Sequence, residues 1–219
     1  MVIKLAIFEV QKSKSRKGML SNEAKRQREI IAYLAVEQDP ELRTRIAIAH
    51  ALASKFNTRW QNIYSSIFRD LDEILIPTKI VREKGRLPPK RGPRALQHEG
   101  VPYYELTQAG MLVASCLDEL DDAKMSILRQ CISTIEQDML RDGLLLLLEV
   151  APSLTLRLIG EYVMHYSMDM DSMVPITADK FRYVLAKSIR AELEFVEAFM
   201  SLSKDKRIEL VNFMQMLSQ

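Results

Sequence analysis

Residues Thr58 to Thr107 interrupt a chain that otherwise reads as helix, and they dictate what the rest can be. A helical pattern runs over residues 58–75. Trp60, Ile63, Ile67, Leu71 and Ile74 fall within one arc of its wheel, which predicts a core face. Thr58 and Gln61, three residues apart, match a capping box, and Pro77 closes the helix. Residues 78–82 alternate, with Ile80 on one face and Lys79 and Val81 on the other, the period of a short strand. A Gly-, Pro- and Arg-rich excursion follows from Glu83 to Arg94, and the chain returns through a strand over Tyr103–Leu106 before a new helix starts at Thr107.

Two features of this stretch suit a polyanion. The helix face opposite the apolar arc carries Thr58, Asn62, Ser65 and Arg69, with Gln61 and Ser66 on its margins and Arg59 at its start, and no acid before Asp70. An α-helix fits the DNA major groove. Asn and Gln can bond adenine edges there, Arg can bond guanine, and Ser or Thr can reach bases or phosphates. A plain surface helix is the competing reading, although such helices usually carry Glu and Lys. The excursion, a loop over residues 83–100, holds Lys84, Arg86, Lys90, Arg91 and Arg94 with no acid between Lys84 and Arg94. Pro88, Pro89 and Pro93 stiffen it, lowering the entropic cost of presenting its charge. Taken alone, that loop is equally compatible with a solvated tip.

Tyr104-Glu105-Leu106-Thr107-Gln108-Ala109-Gly110 resembles the Tyr-x-Leu-Thr-x-x-Gly sequence that closes the wing in many winged helix-turn-helix transcription regulators. The segment Ile63–Ile76 is similar to the recognition helix of that family. The resemblance covers about residues 20 to 117. It implies three helices plus a two-stranded wing, with Leu106 filling the core beneath the wing and Thr107 capping the next helix. It also implies double-stranded DNA as partner, with major-groove contacts from the helix and phosphate or minor-groove contacts from the wing. Two departures stand out: Glu73-Ile74-Leu75-Ile76 replaces the glycine common at the helix end, and the wing is long.

The flanking segments read as helix. Residues 1–20 form an N-terminal helix or arm followed by a basic linker, Lys12–Gly18; Ile3, Ala6, Ile7 and Val10 are spaced for a helix, though a strand is open. Ser21 or Asn22 caps a helix to Gln38 whose inner stripe includes Arg28 by its stem. A second helix over Glu41–Ser54 buries Leu42, Ile46, Ala49 and Ala53 or their neighbours, and the three-residue connector Lys55–Asn57 suits a helix-turn-helix. Residues 21–117 therefore read as a DNA-binding domain and 118–219 as a helical dimerisation or regulatory domain. From Gln108 to Arg141 one long helix, or two nearly continuous ones, carries a seam through Leu112, Cys116, Leu120, Ile127, Cys131, Ile135 and Met139. On a continuous helix Cys116 and Cys131 lie about 22 Å apart. A homodimer or an intramolecular bundle would cover this seam. Helices over Gly143–Val150, Leu154–Met168, Ala178–Ser201 and Lys204–Leu217 follow, with Ser153 and Thr177 as caps. Phe181, Val184, Leu185, Ile189, Leu193, Val196 and Met200 form one stripe of the third.

Charge agrees with this division. Residues 1–107 hold 20 Lys+Arg against 12 Asp+Glu; residues 108–219 hold 11 against 17. A basic half joined to an acidic half points to a polyanionic partner. The apolar start, Met1–Val10, includes Glu9 and no small-residue cleavage site, so no signal peptide is read and a cytoplasmic location is expected, with no membrane partner. His50, His98 and His165 are scattered, so no metal or other cofactor is expected and no catalytic constellation is read. A protein-interaction module built on a winged helix, or an RNA-binding protein, stands as the alternative.

Overall fold

A computed structural model of the chain describes Ile7 and residues 20–88, 100–167 and 169–218, apart from the side chains of Asp122 and Asp171. The N-terminal helix or arm other than Ile7, the Lys12–Gly18 linker, and Lys90, Arg91 and Arg94 lie outside the described residues. The chain is mainly helical with one two-stranded antiparallel sheet. It divides into two compact units, Met1–Ala178 and Asp179–Gln219. No helix among the described residues is long and apolar enough to cross a membrane.

In the first unit, α1 (Asn22–Val36) starts where the Ser21 side chain accepts a hydrogen bond from the Ala24 amide at 3.0 Å. Ala24, Ile30, Ile31, Leu34 and Ala35 are buried along it. Its end is closed by Arg43, a buried side chain that donates to the carbonyls of Glu37 (2.6 Å) and Leu34 (3.2 Å), groups the helix itself leaves without partners. The second helix, α2 (Arg45–Lys55), begins four residues later than Glu41. Asp39 takes the Glu41 amide into a turn, and Thr44 caps the helix instead, accepting from Ala47. Leu42 and Ile46 are consequently exposed, and Ile48, Ala49, Leu52 and Ala53 form the buried face.

The turn into α3 (Trp60–Arg69) rests on Asn57, whose φ of 49° is left-handed. The Thr58 amide bonds back to Ala53 and the Asn57 amide to Ser54, closing the end of α2. Thr58 is thereby spent on the preceding helix, Arg59 occupies the N-cap position, and no side-chain cap forms; the expected Thr58–Gln61 capping box is absent. After Arg69 the backbone widens into a π-helical turn, Asp70–Leu75. Asp70 is fully buried there and receives two hydrogen bonds from Arg26 of α1, which tie the end of α3 to α1. A buried carboxylate needs such a partner.

Lys79 takes a left-handed φ of 58°, so residues 78–80 form a turn rather than a strand, and Ile80 and Val81 are both buried. The strands are longer than their sequence pattern suggests. β1 (Val81–Leu87) pairs with β2 (Val101–Leu106) from Val81↔Leu106 to Leu87↔Val101, with a bulge between Glu83 and Gly85. Residues 83–87 thus belong to a strand, not to the loop. A single bridge, Thr44↔Tyr103, with the Tyr104 amide on the Arg43 carbonyl at 3.1 Å, ties the start of α2 to the sheet.

The long helix expected over 108–141 does not form. α4 (Gln108–Ser115) stops, a 3₁₀ turn runs over Asp118–Ala123, and α5 (Lys124–Ser133) packs against α4. The seam residues Leu112, Leu120, Ile127, Cys131 and Ile135 are buried within the unit, Cys116 nearly so, while Met139 is exposed. An intramolecular bundle therefore covers that seam. The separation of the thiols as if on one helix does not hold either, because the chain folds back between them. Both cysteines are free, and burial pushes the Cys116 thiol up to about 11 and that of Cys131 to about 12. Next come α6 (Asp138–Val150) and α7 (Pro152–His165), which starts on Pro152 with no side-chain cap from Ser153. The second unit holds α8 (Ala178–Ser201) from Asp179 onward and α9 (Lys204–Leu217).

Candidate nucleic-acid interface

On α3 the expected outward residues are outward. Thr58, Arg59, Gln61, Asn62, Ser65 and Arg69 are exposed, and Ser66 is half-buried at the margin of the same face. Neither Arg59 nor Arg69 makes an ion pair among the described residues. Two of the three acids that follow are neutralised from elsewhere, and Glu73 is exposed. Arg26 holds Asp70, and Arg45 of α2 holds Asp72, at about a quarter exposure on each side chain. The outer face of α3 therefore keeps its positive charge and its uncommitted amides, the groups that a base edge or phosphate requires.

The inner face departs from expectation at its first turns. Only Ile67 of α3 is buried; Leu71 follows in the π turn, while Trp60, Ile63 and Ile74 are half-buried. The helix meets the core at its C-terminal end. An aromatic ladder runs along it at i, i+4 and i+8, in which Trp60 meets Tyr64 edge-on (5.9 Å between centroids) and Tyr64 meets Phe68 (6.4 Å). His50 of α2 covers Trp60 at 4.9 Å. The Arg45 guanidinium lies over Phe68 at 4.3 Å and faces Tyr104 at 5.4 Å. Burial pushes the Tyr104 phenol up to about 12, against the opposing pull of Arg45. Arg45 and Arg26 were not legible as site residues, since their partners are distant in sequence. The ladder is legible in its i, i+4, i+8 spacing, with Tyr64 and Phe68 beside the apolar arc rather than in it.

On the two strands of the sheet, Arg82 and Lys84 both hold Glu105 at 2.6 Å, and Arg86 holds Glu83 at 2.7 Å. Burial alone would raise the Glu105 carboxyl, but the hydrogen bonds from Lys84 and Arg82 outweigh it and keep the group below its ordinary value. Lys84 and Arg86 are thus already engaged, though exposed pairs of this kind contribute little and exchange readily for another anion. Thr107 and Gly110 fix the wing base to α4. The Thr107 side chain accepts from the Gly110 amide at 3.1 Å and donates to the Lys79 carbonyl. A Cβ on Gly110 would stand 2.1 Å from the Ile80 carbonyl oxygen, which is why glycine closes the Tyr-x-Leu-Thr-x-x-Gly sequence here. Tyr104 and Leu106 share the buried face of β2, as the alternation predicts.

Among the described residues no group of three His, Cys, Asp or Glu side chains is placed to hold a metal ion. No family model matches the chain, and no curated protein or solved structure is significantly similar to it.

Proposed function

We propose that this protein is a sequence-specific, double-stranded-DNA-binding transcription regulator built as a winged helix-turn-helix. On this reading α3 enters the major groove, with Asn62, Ser65 and Arg69 toward bases and Thr58, Arg59, Gln61 and Ser66 alongside. Lys84, Arg86, Lys90, Arg91 and Arg94 of the wing meet phosphates or the minor groove. One observation carries the proposal: α3 exposes Arg59, Gln61, Asn62, Ser65 and Arg69 together, while Arg26 and Arg45 pair with Asp70 and Asp72 beside them. A homodimer working in the cytoplasm would offer two such helices to a pseudo-palindromic site.

The test is binding of the full chain to a randomised duplex pool, followed by titration of a selected site at several salt concentrations. Asn62→Ala should relax base preference at one position. Arg91→Ala should weaken all sequences alike and flatten the salt slope by about one unit. No salt-sensitive affinity for any duplex at low salt would sink the proposal, and preference for RNA in direct competition would redirect it. The aromatic ladder supports a second reading, a protein-binding module, because Phe56 and Phe68 are both about 40% exposed near the same helix. Loss of a copurifying protein in Phe68→Ala, with no affinity for nucleic acid in the parent chain, would favour it.

A further inference from the structure

The second compact unit leaves its apolar side chains uncovered. No residue of α9 is buried, and in α8 only Phe181 and Leu185 are. Twelve large hydrophobics between Tyr183 and Leu217 are exposed, most of them by half or more. On α8 four of them, Ile189, Leu193, Val196 and Met200, are spaced by four, three and four residues, the seam of a paired helix. We propose that this seam is a self-association surface on which two copies of the chain pair their α8 helices antiparallel about a twofold axis. Ile189 then lies against Met200 of the second copy, and Leu193 against Val196.

Charge selects this occupant and this direction. Residues 179–219 carry seven Lys+Arg and six Asp+Glu, so like meets like without net repulsion. The charges are polarised along α8: Lys187 and Arg190 come before Glu192, Glu194 and Glu197. In the antiparallel register Arg190 comes within about two residues, roughly 3 Å along the axis, of Glu197 of the second copy, and the twofold repeats the pair. A parallel pairing would instead set Glu192 beside Glu197 of the second copy. An anionic membrane is a poor occupant, because a surface-lying helix carries cations along its polar face whereas the second half of α8 carries three glutamates. The twofold pairing stands apart from the DNA-binding reading, since it is measured without nucleic acid.

The experiment is the molar mass of the full chain in solution by light scattering, at micromolar concentration. The expected value is about twice 25.2 kDa. Leu193→Glu, at a position 54% exposed, should return it to the monomer mass with helicity unchanged. Arg190→Glu should weaken the dimer roughly tenfold, and adding Glu197→Arg should restore it, a rescue that loss of folding cannot mimic. Direction is read by cross-linking: Ile189→Cys chains mixed with Met200→Cys chains should bridge, whereas either alone should not, the two like positions being about 16 Å apart along the axis. A monomeric parent chain, a dimer indifferent to Leu193→Glu and to the charge swap, or self-cross-linking of Ile189→Cys would each overturn the proposal.

Discussion

Helices α3 and α8 carry the same kind of apolar periodicity and come to opposite ends. The stripe of α3 and its π turn ends in Ile67, Leu71 and Leu75, all with no exposed surface. The stripe of α8 ends in Leu193, Val196 and Met200, each about half exposed or more. Period says that a helix is amphipathic, not what covers it. In the first unit α1, α2 and the sheet surround the end of α3 and close a core. The second unit is two helices, and two helices offer one layer where a core needs a second. The contrast is therefore one of element count.

The largest effect should separate the two units directly. Leu71→Ala removes a fully buried side chain and should cost about 4 kcal/mol in urea unfolding of the first unit. Met214→Ala removes a half-exposed one from α9 and should stay within about 0.5 kcal/mol in the monomer. Equal losses at the two positions would break the contrast. A loss at Met214 that grows with protein concentration would sharpen it, since it would show the second unit's core being completed by association.

A smaller effect is expected where the wing joins α4. Gly110→Ala forces a methyl onto the Ile80 carbonyl, a backbone atom that cannot swing aside, and should cost about 2–3 kcal/mol. By contrast Gly143 has nothing within 4 Å of the position a Cβ would take, so Gly143→Ala should be neutral or slightly stabilising on its helix. Thermal unfolding of both variants checks this. A neutral Gly110→Ala would mean that α4 does not abut the wing base.

What was legible and what was not follows from where the decisive force acts. The Ser21 cap and the Thr107 cap are local, each side chain accepting from an amide three residues on, and the sequence pattern places them as it places the bounds of α8 and α9. The outward face of α3 was legible because its polar residues share one arc. Four features depended on distant partners. The π turn at Asp70–Leu75 is held by Arg26, 44 residues away, through Asp70. β1 runs through Glu83-Arg86 because β2 pairs with it, although its exposed charged side chains alternate in nothing. The start of α2 is drawn back to Thr44 by competing side-chain caps. The break after Cys116 turns a seam that looked continuous into two packed helices.

The ion pairs repeat the contrast between the units and make its gentlest test. Arg28 of α1 meets Glu119 with two hydrogen bonds of 2.7 and 2.8 Å, at side-chain exposures of 10% and 18%. Arg182 and Asp179 of α8 pair at 3.2 Å with exposures of 75% and 89%. Burial by itself would raise the Glu119 carboxyl. The bonds from Arg28 outweigh burial and hold the group below its ordinary value. A carboxyl lowered in the folded chain contributes stability that is complete above its unfolded value, about 4.3, and is lost as pH falls through the folded value. The first unit should therefore lose thermal stability below about pH 4. Glu119→Gln should lie below the parent near neutral pH and converge with it toward acid. Asp179→Asn, on the exposed pair, should track the parent at every pH. A Glu119→Gln curve parallel to the parent from pH 7 to pH 3 would show that the Arg28 pair does not couple folding to protonation.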